Sequence, residues 1–259
     1  MKKEPTLSAP TVATPVATPV LSAEGVERRY GALRPALQGI DLQVQRGEFV
    51  VLEGPGGSGK SVLLRLLAGL DTPSAGVIRI AGEDLAAVGP LARAHLRRSL
   101  GILSAAAPLL VRHSVLDNVA FAAWVADVGA DEGLRRARAA LELVGLDANR
   151  LGGIRCADLA SGEARRVALA RALVNRPALL LLDDLLEDLD APVAAQLVAV
   201  VDQFAGAGVT VVASTRAPAH PRPDTDPGAN AASAPATRIA RGWPARARIL
   251  RLRDGRLAA

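Results

Sequence analysis

Aromatic residues make up only 2% of this 259-residue chain, so stacking platforms for single-stranded nucleic acid are nearly absent and no nucleic-acid partner is expected. A single cysteine, Cys156, excludes an internal disulfide and suits a reducing compartment, where it reads as a small buried apolar side chain. The longest apolar stretches, such as Ala178 to Leu182, fall far short of the roughly 18 residues a membrane span needs. Near the start, "TVATPVATPV" is interrupted by Pro15 and Pro19, so it lacks the continuous apolar segment of a secretion signal despite Lys2 and Lys3. These absences predict a cytoplasmic protein that does not itself cross a bilayer. Lysine is scarce too: of 31 basic residues only Lys2, Lys3 and Lys60 are lysines.

What is present is apolar bulk, 50% of the chain, enough for a sizeable aliphatic core. The net charge of +5 suits an acidic partner. Much of the excess lies late, in Arg238, Arg241, Arg246, Arg248, Arg251, Arg253 and Arg256 against Asp254 alone, which reads as a solvated face. Two stretches, residues 1 to 22 and 217 to 245, hold ten of the seventeen prolines. Their Pro/Ala/Asp composition buries too little surface to offset ordering entropy, which predicts a disordered tail and a mobile low-complexity insertion around a single domain spanning residues 23 to 259.

Between those stretches the pattern alternates. "FVVLE" (49 to 53), "GVIRI", "ALLLLD" and "GVTVVAS" read as buried strands; "KSVLLRLLAGL" (60 to 70), "GEARRVALARALV" (162 to 174, amphipathic) and a segment near 191 to 205 read as helices. Val- and Leu-rich strands without polar alternation, joined by helices, predict an α/β fold with a parallel sheet covered on both faces. Asp254 and Gly255 in "RILRLRDGRL" signal a hairpin.

"GPGGSGKS", residues 54 to 61, follows a predicted strand and opens a predicted helix, the context in which such a loop cradles phosphates. Gly54, Gly57 and Gly59 let the backbone curl around Pro55, Gly56 and Ser58 so that successive N–H groups point at phosphate oxygens. The helix N-terminus adds partial positive charge. Lys60 would span the outer phosphates, and Ser61 would offer its hydroxyl to Mg²⁺. In a chain that otherwise uses arginine, a lone internal lysine at this place suits a closed loop that a planar guanidinium would not fit. Asp183, at the end of "LLLLDD", is the expected metal partner and Asp184 the candidate for orienting water. ATP and Mg²⁺ are thus the predicted ligands.

These pieces in this order resemble an ATP-binding cassette (ABC) ATPase from about Val26 to Arg216, and again at "RILRLRDGRL". Within that superfamily "LRRSLGIL", "SVLDNVA", "ALELVGL" and "ARALVNRPALLLLDD" are most similar to FtsE, the cell-division ATPase that works with the membrane protein FtsX. Lipoprotein-release and macrolide-export ATPases are near relatives. The resemblance implies a P-loop core, a small N-terminal antiparallel β region and a helical subdomain around residues 90 to 160. It also implies ATP sandwiched between two cassettes, as a homodimer or heterodimer, and docking on an FtsX-type or other ABC permease at the inner face of the membrane. Tyr30 in "ERRYG" matches the aromatic that stacks on adenine.

The chain departs from the family pattern where hydrolysis is concerned. Ala105 stands for the glutamine that reaches metal and water, and "LASGE" puts Ala160 in place of the signature serine, with Ser161 for the first glycine. A hydrogen bond to a charged group contributes about 1.5–3 kcal/mol, so Ala160 weakens the sandwich unless Ser161 substitutes. Asp184 stands for the catalytic glutamate and withdraws the carboxylate by about 1.5 Å, a misplacement that costs on the order of a hundredfold. Arg216 stands for the switch histidine, as a permanent cation that would hold phosphate. Leu185, Leu186, Glu187 and Asp188 replace Pro-Thr-Gly-Asn, while Leu189 and Asp190 keep the later pair. The resemblance therefore implies an ATP-binding subunit with weak or absent hydrolysis. Two alternatives stay open: an exporter ATPase using Asp184 as its base, and the degenerate half of a heterodimeric pair.

Overall fold

The computed structural model describes residues 18–31, 35–105, 108–187, 189–216 and 242–258. Two sheets organise it. The first holds β2 (Leu37–Val44), β1 (Leu21–Arg28), β4 (Ala75–Ile80) and β5 (Glu83–Asp84) in that order, all antiparallel. β2 explains why this sheet has a single dry face: Leu37, Ile40, Leu42 and Val44 are buried while Gly39, Asp41 and Gln43 are exposed, the alternation of a half-solvated strand. β1 begins at Leu21, fully buried, so the fold starts just inside the stretch expected to be a tail.

The second sheet runs β10 (Arg256–Ala258), β9 (Arg248–Arg253), β3 (Phe49–Gly54), β8 (Thr210–Arg216), β7 (Leu179–Leu182), β6 (Leu100–Leu103). All neighbours are parallel except the β9–β10 hairpin, whose turn places Asp254 and Gly255 at positive φ as the sequence predicts. Every residue of β3 and β7 is buried, because helices or the first sheet cover both faces. One apolar cluster packs α1 (Lys60–Leu67) and the antiparallel sheet onto one face; the other packs the helices that follow β6 opposite.

α2 (Pro90–Arg98) precedes β6 and packs against it. α3 (Val115–Val125), α4 (Ala130–Leu143) and α5 (Ala148–Leu151) then form a helical layer before α6 (Ser161–Leu173). Ser114 caps α3 by accepting from the Asp117 N–H at 3.0 Å, and Asp190 caps α7 (Ala191–Gly206) through Val193 N–H at 2.9 Å. α6 is less one-sided than its sequence predicts. Val167, Leu169, Ala170, Ala172 and Leu173 are all buried, since its second half lies between β6 and helices α3 and α4. The helix is buried around much of its girth by tertiary packing.

Residues 217–241 of the expected insertion lie outside the described residues, but the last part belongs to the core. Trp243 is 3% exposed and meets the Phe49 ring edge-on, centroids 5.8 Å apart. Three of the late arginines face acids supplied from elsewhere in the chain. Arg246 bonds the Asp202 carboxylate and carbonyl, Arg248 meets Glu48 at 2.5 Å, and Arg251 lies 3.7 Å from the buried Glu53, its partner in the β3–β9 register. Arg238 and Arg241 fall outside the described residues. Cys156 is buried, and that burial pushes its thiol pKa up, in keeping with an apolar packing role.

Candidate functional site

The loop from Gly54 to Ser61 runs from the end of β3 into α1, at the carboxyl ends of the parallel strands where ligands of such sheets bind. Its curvature depends on glycine at two points. A Cβ on Gly54 would sit 2.2 Å from the Leu252 carbonyl oxygen, and Gly59, at φ 105°, would drive a Cβ to 2.7 Å from the Ala36 carbonyl oxygen. The β9–β10 hairpin braces the loop from behind, with Gly255 N–H donating to Ser58 O at 3.1 Å. Gly56 and Gly57 meet nothing within 4 Å, so the loop's other side is open.

Lys60 folds back over this loop. Its ammonium donates to Gly54 O at 2.8 Å and Pro55 O at 3.0 Å, and lies 3.5 Å from Ser58 Oγ. Burial lowers its pKa below the ordinary lysine value, a shift that the charges of Asp184 and Asp183 oppose. Ser61 Oγ donates to Asp183 Oδ1 at 3.0 Å, so the two residues expected to hold a metal are already in contact. Asp183 is 5% exposed, and burial raises its pKa against hydrogen bonds from Ser214 and Ser61. A buried carboxylate beside a hydroxyl is a hard-oxygen donor set that suits Mg²⁺, and a dication there would offset the desolvation of the carboxylate.

Ser214 went unnoticed in the sequence. It is fully buried in β8; its Oγ donates to Asp183 Oδ1 at 2.8 Å and accepts the Asp184 N–H at 2.9 Å, so one hydroxyl orients both acids. A hydroxyl that follows the apolar run "VVA" in a strand expected to be buried is the available signal, because a buried polar group needs partners. Asp184 has left-handed backbone, φ 47°, which aspartate tolerates better than glutamate. Arg216 ends β8 and sits opposite Gly54 in the β3–β8 register. Its guanidinium pairs with Glu187 at 2.7 Å.

Three other predicted residues lie on other elements. Tyr30 lies beyond β1, where its hydroxyl donates to Asp71 at 2.8 Å and accepts from Arg65 of α1 at 2.8 Å. Arg28 covers one ring face at 4.5 Å from the centroid, a cation–π contact that fixes the ring. Ala105, just past β6, is exposed. Ala160 is the N-cap of α6 and offers no side-chain oxygen; Glu163 accepts the Ala160 N–H at 3.1 Å, half of a capping box.

A phosphate cradle, a lysine over it and a hydroxyl–carboxylate pair at one end of a parallel sheet define a P-loop nucleotide-binding protein. The family model for ABC transporter matches residues 37–187, and the chain belongs to that family. It is similar to the cell division ATP-binding protein FtsE of Escherichia coli (strain K12), at 38% identity over 74% of this chain and 86% of the relative. It also resembles the lipoprotein-releasing system ATP-binding protein LolD of Pseudomonas fluorescens (46% identity; 60% of this chain, 68% of the relative). Among solved structures, the dimeric ATP-binding cassette MJ0796 bound to ADP and Pi superposes with a TM-score of 0.77 at 26% identity, covering 92% of this chain and 97% of that one. The α/β fold with its antiparallel β region agrees with the expectation from sequence. No helix among the described residues is long and apolar enough to cross a membrane.

Proposed function

We propose that this chain is the ATP-binding subunit of an FtsE-like ABC complex that binds Mg-ATP, gates a membrane partner of FtsX type, and hydrolyses ATP slowly or not at all. The observation that carries it is the split in the site. The binding half is whole: the loop from Gly54 to Ser61, Lys60 over it, and Ser61 in contact with Asp183. Bound there, Mg²⁺ would neutralise phosphate charge; Ser61 and Asp183 would hold it. The hydrolytic half is altered at four positions, with Asp184 on left-handed backbone, Arg216 engaged by Glu187, Ala105 without a polar group and Ala160 without a hydroxyl.

A partner at the cytoplasmic face of the membrane is supported by apolar exposure on the helical layer. Phe121 and Val125, one turn apart on α3, are 48% and 40% exposed, and Val111 nearby in sequence is 56% exposed. The resemblance to dimeric cassettes supports two chains closing over nucleotide, either two copies or this chain with a cassette that carries a sound signature loop.

The test is single-turnover ATP hydrolysis beside a nucleotide-binding titration, with Mg²⁺, for wild type, Lys60→Ala and Asp184→Asn. Binding lost in Lys60→Ala with negligible hydrolysis in wild type is expected. Turnover at the level of an ordinary ABC ATPase, abolished by Asp184→Asn, refutes the slow-hydrolysis reading and makes the chain a working motor with an aspartate base.

A further inference from the structure

Arg216 and Glu187 both stand where the family pattern has other residues, and the fold brings them together although they are distant in sequence. Arg216 is the last residue of β8 and lies beside Gly54, the first residue of the phosphate loop. Glu187 lies in the turn that follows β7, the neighbouring strand on the other side of β8. Their side chains meet at 2.7 Å with the arginine 62% and the glutamate 28% exposed, so the pair faces the mouth of the site. Both charges act on Lys60, as do those of Asp183 and Asp184. Two cations and three carboxylates thus gather at the carboxyl ends of β3, β7 and β8, beside the loop.

We infer that Glu187 is the resident counter-anion of Arg216, displaced by the terminal phosphate of a nucleoside triphosphate, and that this exchange sets how strongly triphosphate is preferred over diphosphate. The inference deepens the nucleotide-site reading above and rests on it. Without Glu187, a permanent guanidinium would stand beside the Lys60 ammonium with no partner of its own; with it, the two cations are screened from each other. A partly exposed ion pair contributes only about 0.2–1 kcal/mol, so a phosphate of higher charge outcompetes the carboxylate. The carboxylate left behind then faces an incoming anion, which is unfavourable. Glu187 therefore holds triphosphate affinity down, and it does so through Arg216. A diphosphate, held by the loop and Lys60, does not reach the pair.

The experiment compares the Kd of a non-hydrolysable ATP analogue, adenylyl imidodiphosphate, with that of ADP, each with Mg²⁺. Four proteins are titrated: wild type, Glu187→Gln, Arg216→Ala and the double variant, with thermal melts to show that each is folded. Glu187→Gln should tighten the triphosphate about threefold to fivefold and leave ADP alone, matching the strength of an exposed pair. Arg216→Ala should weaken the triphosphate selectively, and the double variant should behave as Arg216→Ala, because Glu187 acts only through the arginine. A Glu187→Gln protein with an unchanged ratio of the two affinities, or a double variant that keeps the gain, overturns the inference while leaving the nucleotide site standing. Wild type that binds neither nucleotide overturns both.

Discussion

Removing the Ser214 hydroxyl is the most revealing single perturbation of this site. Ser214→Ala deletes one donor to the Asp183 carboxylate, at 2.8 Å, and the acceptor of the Asp184 N–H, at 2.9 Å, in a position with no solvent exposure. A hydrogen bond to a charged group contributes about 1.5–3 kcal/mol, and a buried N–H left without an acceptor costs about 1–3 kcal/mol. Ser61 still donates to Asp183, and Asp184 is only half-buried, so the two losses do not add in full. A net destabilisation of about 2–3 kcal/mol follows. For a domain of this size each kcal/mol moves Tm by about 2–4 °C, so the melting point should fall by about 4–12 °C. Loosening of Asp183 should also weaken the Mg²⁺ dependence of nucleotide binding. Thermal melts and Mg²⁺ titrations of bound nucleotide read both effects. A loss of under about 1 °C together with an unchanged Mg²⁺ requirement would refute the claim that this hydroxyl organises the two acids.

Gly54→Ala should abolish nucleotide binding and destabilise the fold by about 1–3 kcal/mol or more, because its Cβ meets the Leu252 carbonyl oxygen at 2.2 Å and Ser58 Oγ at 2.7 Å. Gly56→Ala, with nothing within 4 Å, is the control for the fold, and equal loss of stability in both would contradict the close-approach argument. Ala160→Ser supplies the missing half of the α6 capping box and should stabilise by about 1 kcal/mol in a denaturant titration; no gain would mean the cap is already satisfied. Asp71 has its pKa held below the usual carboxylate range. Burial opposes ionisation there, and hydrogen bonds from Tyr30 and the Thr72 N–H, with the charges of Arg28 and Arg65, outweigh it. A depressed pKa stabilises above the unfolded value, about 3.9, and that stability disappears as pH falls through the lower folded value. Acid unfolding of Asp71→Asn should be less steep in that window than that of wild type, and identical acid limbs would count against the cluster.

The legible parts were those whose chemistry is contained in a short span. "FVVLEGPGGSGKS" carries its own strand, turn and helix start, because the φ values that only glycine adopts and the apolar run before them are local properties. The acids after "LLLL" were readable for the same reason, as was the Asp254–Gly255 turn. Burial without alternation in β3 and β7 indicated a sheet covered on both faces. The boundary at Trp243 was not readable, since a lone tryptophan beside a Pro/Ala-rich stretch shows nothing of the Phe49 ring it packs on.

What the chain determined by sequence alone, then, is the glycine-rich loop between strand and helix, the ends of its strands and the class of fold. Tertiary structure alone decided which charges distant in sequence meet. Arg216 finds Glu187, Arg248 finds Glu48 two hundred residues away, and Tyr30 is held by Arg28, Arg65 and Asp71. Strand order and register set those pairings: β8 lies between β3 and β7, so Ser214 and Arg216 are delivered to acids and glycines that the linear sequence keeps far apart. Local backbone preference acts over a few residues, whereas a side chain's electrostatic partner is chosen by packing across the sheet.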